Sequence, residues 1–357
     1  MKNPTLPRRA GVALLAVAAL TLAACSSSGS PEASDAPTAT DSQTPVADAF
    51  PVTFEHKFGE TTIESQPERI VTVGYHEQDW LYALGIAPVA VREWYGGYDY
   101  ATWPWADEAR QAVGAEPEVL SNAELNIEQV AGFTPDLIIA TWSGITQEEY
   151  DLLSQIAPVV AQSGDYADYG MPFDEETRLI AAAVGKSEQG EEIIAANEEL
   201  FAATREAHPD WEGKTAAVGF LFEGQPGAYY SHDPRPALLG RLGLDPTVVD
   251  QHGDVATDFY LTVSPERLDI LDLDTVIWLA ALSPDTRAQI EAMPAYDSLG
   301  ITVNGGHIWS TEGVFEGAFS FASPLSQAYV VEQLTPKLDA ALDGDPATEV
   351  PAFEEAA

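Results

Sequence analysis

The sequence predicts an α/β protein with two lobes, each a mainly parallel sheet flanked by helices, joined by one long helix. Three observations lead to this fold class. Short apolar runs alternate with helical segments from residue 67 to 172, a strand-free helical stretch covers 173–211, and the alternation resumes from 212. Strands that alternate with helices are typical of βαβ units and parallel sheets.

The first lobe contains four predicted strands and three predicted helices. The strands are placed at residues 70–75, 88–92, 136–141 and 159–161, and the helices at 76–84, 126–132 and 146–155. Between the lobes, residues 187–207 have the composition of one continuous helix. With a rise of about 1.5 Å per residue, such a helix is about 30 Å long, which is enough to connect two lobes.

The second lobe repeats the alternation. Its predicted segments lie at residues 215–222, 235–243, 247–249, 264–271, 275–279, 284–293, 307–310 and 323–342. A local pattern also occurs in both lobes: Glu128 precedes Asp136 by eight residues, and Glu266 precedes Asp274 by the same spacing. In each case a glutamate early in a short helix is followed by an aspartate that opens an apolar strand. This echo indicates that the lobes are pseudo-symmetric.

Composition excludes several classes of protein. The chain has 357 residues and 57 Asp+Glu against 16 Lys+Arg, a formal net charge of −41. Nucleic-acid binding requires clustered cations, and no basic run follows the first nine residues. Hydrophobic residues make up 45%, as in a globular protein. A single cysteine excludes a disulfide framework and cysteine clusters.

The amino terminus has the pattern of a secretory signal. Lys2, Arg8 and Arg9 precede an apolar run from residue 10 to 22, which is short for a membrane span. Leu22-Ala23-Ala24-Cys25 then resembles the lipobox of bacterial lipoproteins, which implies cleavage after residue 24, a lipid on Cys25 and attachment to the outer face of the cell membrane. A plain secretory cleavage with an incidental cysteine is the alternative.

The remaining domain boundaries follow from composition. Residues 25–50 are rich in Ser, Pro, Thr, Ala and Asp, and such a segment is expected to be a flexible tether. The folded part is expected as an N-terminal lobe at 51–172, a bridging helical segment at 173–211 and a C-terminal lobe at 212–343. Residues 344–357 are expected to form a loose tail.

Several motifs carry a family resemblance across about residues 52–343. They are Pro67-Glu68-Arg69-Ile70-Val71, Ala83-Leu84-Gly85-Ile86-Ala87-Pro88-Val89, Asn126-Ile127-Glu128 with Pro135-Asp136-Leu137-Ile138-Ile139, and Ser323-Pro324-Leu325-Ser326. In order and spacing the chain resembles the substrate-binding lipoproteins of iron-siderophore and vitamin B12 ABC importers. The resemblance implies a ligand cleft between the lobes and little closure motion.

The same resemblance implies the partners of the protein. Such proteins dock on a membrane permease, which works with an ATPase subunit, through one exposed glutamate per lobe. By motif these are Glu128 and Glu266, and a carboxylate in the first turn is also stabilised by the helix dipole. Each is otherwise an ordinary helix-start acid. We expect a monomer with no cofactor and no metal ligands of its own, since a ferric siderophore arrives with its iron already chelated.

Aromatic residues mark the candidate ligand site. Six of them lie between residues 94 and 105 without helical or strand periodicity, which favours a loop after the second strand: Trp94, Tyr95, Tyr98, Tyr100, Trp103 and Trp105. Ligands of such folds lie beyond the carboxyl ends of strands, so Arg92 and Trp142 are candidates as well. Packing under a long loop, and a salt bridge from Arg92 to Glu93, are the alternatives. In the second lobe the candidates are Tyr229, Arg235 and Tyr260.

The same residues indicate which chemical class of ligand and which class of protein are to be expected. Many aromatics with few cations favour a hydroxamate or mixed siderophore of low charge. Another iron chelate, haem or cobalamin remains an alternative, as does a surface interaction protein without a transport role. Enzyme activity is not expected, because the chain contains no Gly-x-Ser-x-Gly, His-Glu-x-x-His or P-loop motif.

Overall fold

The structure is a computed structural model in which residues 50–121, 123–255 and 258–354 are described. The predicted signal peptide at 1–24, the lipidation site Cys25 and the tether up to residue 49 lie outside the described residues. Over the ranges that are described, no helix is both long enough and apolar enough to cross a membrane.

The first lobe begins with an antiparallel hairpin and continues into a parallel sheet. The hairpin consists of β1 (Val52–His56) and β2 (Gly59–Ile63). The sheet has the strand order β5-β4-β3-β6-β7. Its strands are β3 (Ile70–Thr72), β4 (Ala90–Arg92), β5 (Glu118–Leu120), β6 (Leu137–Ala140) and β7 (Val159–Ala161). The connecting helices are α1 (Glu77–Ala83), α2 (Pro104–Ala112), α3 (Ile127–Gly132) and α4 (Gln147–Leu153).

The apolar strands of this sheet are explained by burial on both faces. Along β6, Leu137 and Ile139 pack into one hydrophobic cluster, while Ile138 and Ala140 pack into the other. Successive side chains of a strand point to opposite faces, so a sheet covered by helices on both sides requires a continuous apolar run. The prediction of a parallel sheet in this lobe is confirmed.

The second lobe contains a mixed sheet with the strand order β10-β9-β8-β11-β12. Its strands are β8 (Ala216–Phe222), β9 (Gln225–Tyr229), β10 (Tyr260–Thr262), β11 (Thr275–Leu279) and β12 (His307–Ser310). The pairs β8–β11 and β11–β12 are parallel, whereas β9 is antiparallel to both β8 and β10. The helices are α7 (Pro234–Arg241), α8 (Thr286–Glu291), α9 (Gly300–Val303), α10 (Gly313–Phe321) and α11 (Gln327–Leu342).

Two consecutive helices, α5 (Phe173–Ala183) and α6 (Ser187–Ala207), connect the lobes. The bounds of α6 match the predicted segment 187–207. Near its start, Ile193 packs against the core of the first lobe, and further along Phe201 is part of the core of the second lobe. Between them the buried Asn197 donates from Nδ2 to Oε1 of Gln327 at 2.8 Å. The helix therefore belongs to both cores and holds the lobes together.

The echo between the lobes has a structural basis. The carboxylate of Asp136 accepts hydrogen bonds from the amides of Glu68 and Arg69 at 2.9 and 2.8 Å, just before β3 begins. The carboxylate of Asp274 accepts from the amide and the hydroxyl of Thr215 at 2.8 Å each, just before β8 begins. Each aspartate thus joins the start of its own strand to the start of the neighbouring parallel strand.

Several local predictions need correction. The segment predicted at 264–271 is not an α-helix but a 3-10 segment, Pro265–Leu271, with non-helical backbone at Arg267. The segment at 247–249 contributes only to a 3-10 turn, Val249–His252. The tail was expected to be loose from residue 344, yet Val350 and Phe353 pack against the core of the second lobe. Phe353 packs against Phe315 with ring centroids 4.2 Å apart, which gives this acidic tail an apolar attachment.

Candidate functional site

A cleft with a volume of about 1080 Å³ lies between the two lobes. Residues beyond the carboxyl ends of parallel strands line both of its walls: Tyr75 follows β3, Trp94 follows β4, Trp142 follows β6, and Ala281 and Leu282 follow β11. This is the position at which open α/β sheets bind ligands. The volume is that of a site for a molecule larger than an amino acid or a simple sugar.

The first-lobe wall is a network of aromatic rings. Trp94 lies against Trp142 with ring centroids 4.8 Å apart and against Tyr95 at 4.9 Å. Tyr95 in turn contacts Trp103 at 5.1 Å, and Trp142 contacts Tyr169 at 4.8 Å. Most of these contacts are edge-to-face, the arrangement in which the ring quadrupoles attract. The rings therefore fix each other's positions and form a preorganised apolar wall.

Gly96 allows the aromatic loop to fold against its own indole. Its φ angle is +104°, and a Cβ atom there would lie 2.7 Å from the Trp103 ring. An L side chain is unfavourable in this backbone region and has no room at this contact. The glycine thus brings the loop backbone onto Trp103, which is buried at the base of the wall.

The second-lobe wall is built on the β8–β9–β10 part of the sheet. The register pairs Tyr229 of β9 with Tyr260 of β10. Phe220 of β8 lies next to both, with ring centroids 4.9 Å from Tyr229 and 5.2 Å from Tyr260. Cross-strand aromatic pairs of this kind stabilise a sheet and place the rings on one face. That face is the one that borders the cleft.

One arginine lines the cleft among the described residues, and it is already paired. Arg235 donates from Nε and Nη2 to the two carboxylate oxygens of Asp233 at 2.8 and 2.7 Å. Its guanidinium also lies 3.5 Å from the ring centre of Tyr229. Burial alone lowers the pKa of Arg235, but Asp233 and Tyr229 outweigh it and raise the pKa overall. The cation is therefore fixed in place and charged, with its charge locally balanced.

A buried carboxylate lies at the base of the same cleft. Glu316 of α10 accepts hydrogen bonds from the amides of Ala280 and Ala281 at 2.7 and 2.9 Å, directly after β11. Burial raises the pKa of Glu316, and these amide bonds partly oppose the shift. From the other lobe, Tyr95 interacts electrostatically with Glu316. Burial raises the pKa of Tyr95 to about 12, so its phenol is neutral at physiological pH.

The structure places most of the predicted ligand-binding residues together. Lining the cleft are Trp94, Tyr95, Trp103, Trp142, Tyr229, Arg235 and Tyr260. Arg92 and Trp105 do not line it. Arg92 is only 6% exposed, with its guanidinium 4.5 Å from the ring centre of Tyr75. Trp105 belongs to α2, behind Trp103, where its Nε1 donates to Asp79 at 2.8 Å.

Further cleft residues have weaker sequence signals. Tyr75, Tyr169, Phe220 and Glu316 line the cleft but were not among the predicted residues. The predicted strand 70–75 includes Tyr75, but β3 ends at Thr72, so Tyr75 lies beyond the strand end as Trp142 does. Tyr169 lies in an irregular segment before α5, and nothing local marks it. Glu316 is one acid among 57 acidic residues, so only its burial distinguishes it.

Behind the cleft, a buried polar cluster joins the lobes next to a second cavity of about 670 Å³. Nε2 of His76 lies 3.1 Å from Oε1 of Glu176, and its Nδ1 donates to the carbonyl of Phe321 at 2.9 Å. Burial alone lowers the pKa of His76, but Glu176 and Glu77 reverse the shift and raise the pKa overall. The ring of His76 also stacks on Trp142, which separates the cavity from the cleft.

The two predicted docking residues are exposed at matching positions. Glu128 lies in the first turn of α3, which precedes β6, and Glu266 lies in the 3-10 segment that precedes β11. The strands β6 and β11 have equivalent places in the two sheets, next to β3 and β8. A hydrogen bond from Ser264 lowers the pKa of Glu266. Within the described ranges, no group of three or more His, Cys, Asp or Glu side chains has the arrangement of a metal site.

The family described as periplasmic binding protein matches residues 70–300, and the chain belongs to this family. The match spans the parallel sheet of the first lobe, the helix α6 and the strands β8 to β11 of the second lobe. The resemblance to substrate-binding proteins of iron-chelate importers is therefore confirmed for the family and the fold.

Particular relatives agree with this assignment. A probable siderophore-binding lipoprotein of Bacillus subtilis, YfiY, is 30% identical over 234 residues, which is 64% of this chain and 64% of the relative. A periplasmic solute-binding protein of Mycobacterium smegmatis is 35% identical, with a TM-score of 0.69 and coverage of 82% of this chain and 99% of that one. PiaA of Streptococcus pneumoniae, in complex with ferrichrome, is 26% identical, with a TM-score of 0.71 and coverage of 82% and 99%.

Proposed function

We propose that this protein captures a ferric siderophore, of the hydroxamate or mixed type, and delivers it to the permease of an ABC importer for iron uptake. The observation that carries the proposal is the aromatic cleft of about 1080 Å³, whose arginine is already paired. A siderophore saturates its iron with its own oxygens, so the protein contacts an organic shell. Rigid aromatic walls bind such a shell by apolar and stacking contacts.

The charge of the cleft favours the hydroxamate or mixed class. A catecholate chelate carries several negative charges, and binding it in a cleft of low dielectric requires several unpaired cations. Among the described lining residues Arg235 is the arginine, and Asp233 already balances it. The structure of PiaA adds support, because that relative was solved in complex with ferrichrome.

The proposed route of delivery uses both lobes. Glu128 and Glu266 are both exposed, and each precedes a strand that neighbours the central strand of its sheet: β6 next to β3, and β11 next to β8. Carboxylates exposed in this way are accessible to arginines of a membrane partner. We also propose that the protein acts as a monomer, attached to the outer face of the cell membrane through a lipid on Cys25, and YfiY is named as a lipoprotein.

Tryptophan fluorescence titration tests the binding proposal. The panel consists of ferric hydroxamates, ferric catecholates, haem and cobalamin, and we expect saturable quenching by at least one ferric hydroxamate or mixed chelate. Absence of saturable binding by every ferric chelate contradicts the proposal. Preferential binding of haem or cobalamin contradicts the proposal and supports the alternative that the protein captures that ligand.

A matched pair of variants locates the binding in the cleft. Trp94 and Trp309 are both half-buried, but only Trp94 is among the residues that line the cleft. We expect Trp94→Phe to weaken binding by about fivefold, since an aromatic pair contributes about 1 kcal/mol. Trp309→Phe should leave the affinity unchanged. Equal effects of the two substitutions place the ligand elsewhere.

A further inference from the structure

The described residues that line the cleft include few ionisable groups other than tyrosines. They are Asp233 and Arg235 from one segment and Glu316 from α10. Asp233 and Arg235 neutralise each other through two hydrogen bonds, at 2.8 and 2.7 Å. The hydrogen-bond donors to Glu316 from Ala280 and Ala281 are backbone amides, which have no net charge. These groups sum to a negative charge when Glu316 is ionised and to zero when it is protonated.

The surroundings of Glu316 strengthen the effect of this charge. Glu316 is a buried residue, 7% exposed, and the walls around the cleft are mostly aromatic. In such surroundings the effective dielectric constant is far below that of water, so a charge on a bound molecule interacts strongly with a carboxylate nearby. Tyr95, on the opposite lobe, remains a neutral phenol that adds no charge of its own.

The consequence concerns the net charge of the ligand. An anionic chelate in the cleft lies close to a buried carboxylate and finds an arginine that Asp233 already balances. A neutral chelate avoids the repulsion, and a chelate with a pendant ammonium gains an attraction. In its neutral form Glu316 would no longer repel anions, so the discrimination depends on its ionised form and is strongest at higher pH.

We propose that Glu316 is a specificity-determining residue of the cleft, which selects ferric chelates of neutral or positive net charge over anionic ones. This inference rests on the proposed function, because it assumes that a ferric chelate is bound between the lobes. It assigns a role to a side chain whose type and position in the sequence gave no indication of one.

The test compares three probes on the full chain: ferrioxamine B with its pendant ammonium, neutral ferrichrome and an anionic ferric catecholate. Titrations are made at physiological salt, where charges more than about 8 Å apart in solvent are largely screened. We expect the wild type to bind at least one of the first two probes about tenfold or more tightly than the catecholate. Equal or tighter binding of the catecholate overturns the inference, while siderophore capture stands.

Two variants that each remove one negative charge distinguish the effect of Glu316 from the effect of the protein's overall negative charge. Glu316→Gln keeps the size of the side chain and an oxygen that can accept from Ala280 and Ala281. Glu332→Gln removes an exposed acid from α11, outside the cleft. We expect Glu316→Gln to reduce the preference for the cationic over the anionic probe by about tenfold, and Glu332→Gln to leave it unchanged. An equal change in both variants overturns the role of Glu316.

A third variant acts on the paired arginine. Asp233→Asn removes the balancing charge from Arg235 and should raise the affinity for the anionic probe relative to the affinity for ferrichrome. Unchanged affinity for the anionic probe contradicts the inference that Asp233 neutralises the cleft. If no ferric chelate binds the wild type, the proposed function fails, and the inference fails with it.

Discussion

Nδ1 of His76, a buried side chain of the first lobe, donates a hydrogen bond of 2.9 Å to the backbone carbonyl of Phe321 in the second lobe. The other ring nitrogen lies 3.1 Å from Glu176 at the start of the bridging helices. One imidazole therefore connects both lobes and the bridge between them. This arrangement makes His76 a structural joint immediately behind the cleft.

Removing this joint should destabilise the protein. We expect His76→Ala to lower the free energy of unfolding by about 3 kcal/mol, because it removes the imidazole paired with the buried Glu176 and leaves that carboxylate with the hydroxyl of Thr141. Urea denaturation followed by circular dichroism measures the loss. His252→Ala, at an exposed histidine of the second lobe, is the control and should have little effect. Equal stability of the two variants contradicts a structural role for His76.

A glycine of α10 provides a test of the packing at the base of the cleft. A Cβ atom on Gly317 would lie 2.5 Å from the ring of Trp103, which belongs to the opposite wall. We expect Gly317→Ala to displace that ring and to lower the free energy of unfolding by about 1–3 kcal/mol. Thermal melting and the tryptophan emission maximum report the change.

Gly313, at the start of the same helix, is the matched control. A Cβ atom there has nothing within 4 Å, so Gly313→Ala should be neutral or slightly stabilising. Comparable melting temperatures for the two alanine variants would mean that α10 and Trp103 are not packed as described.

The sensitivity to acid should depend on His307. The indole Nε1 of Trp278 donates to Nδ1 of His307 at 3.1 Å, so this nitrogen has to be unprotonated. Burial lowers the pKa of His307 to about 4. The pKa of His307 is therefore lower in the folded chain than in the unfolded chain, where it is about 6.5. The folded state has its full stability above pH 6.5 and loses stability as the pH falls from 6.5 towards 4, because the unfolded chain binds the proton first.

We therefore expect the wild type to lose up to about 3 kcal/mol of stability through His307 between pH 6.5 and 4. His307→Asn keeps an acceptor for Trp278 but cannot titrate, so its stability should fall less over this interval. Melting temperatures of both proteins across the interval measure the difference. Parallel pH profiles would show that His307 does not titrate in the folded protein.

Docking on the permease is tested by the double variant Glu128→Ala, Glu266→Ala. We expect ligand affinity to remain unchanged and iron uptake in cells to fall by about tenfold or more, since each lobe loses a charged contact. The control is Glu148→Ala with Glu332→Ala, which removes an exposed acid from each lobe elsewhere on the surface. Normal uptake by the docking variant contradicts the assignment.

Attachment to the membrane is tested at Cys25. Cys25→Ser removes the thiol that would receive the lipid, so the protein should move from the membrane fraction to the soluble fraction. Fractionation of cells with an antibody against the folded part measures this distribution. Retention of the variant in membranes would indicate another mode of attachment.

The fold was largely predictable because its main signals are local. The alternation of apolar strands and helices, and the long stretch 187–207, identified the two lobes and α6. The β8–β9 hairpin was missed, although its turn contains Glu223 and Gly224, both with positive φ. The predicted segment ends at residue 222, and β9 begins with Gln225, Pro226 and Gly227, which lack the apolar pattern typical of a strand.

Part of the site was predictable because position along a strand decides exposure to the cleft. Trp94 and Trp142 follow strand ends, and both line the cleft. The prediction that Trp105 lines the cleft was wrong because α2 begins at Pro104 and turns the Trp105 side chain behind Trp103. The prediction that Arg92 lines the cleft was wrong because β4 is buried along its whole length, including its last residue, Arg92. Such outcomes depend on tertiary packing, which the residue types do not specify.

The contact between Phe353 and Phe315 has a practical consequence for anyone who shortens the chain. Phe315 precedes Glu316 and Gly317, which lie at the base of the cleft, so the outer side of α10 is held by residues that are remote from the cleft in sequence. A truncation after Asp343 would keep every residue that lines the cleft and still remove the external support of its base. Expression plasmids for crystallisation or binding assays should therefore extend through Phe353.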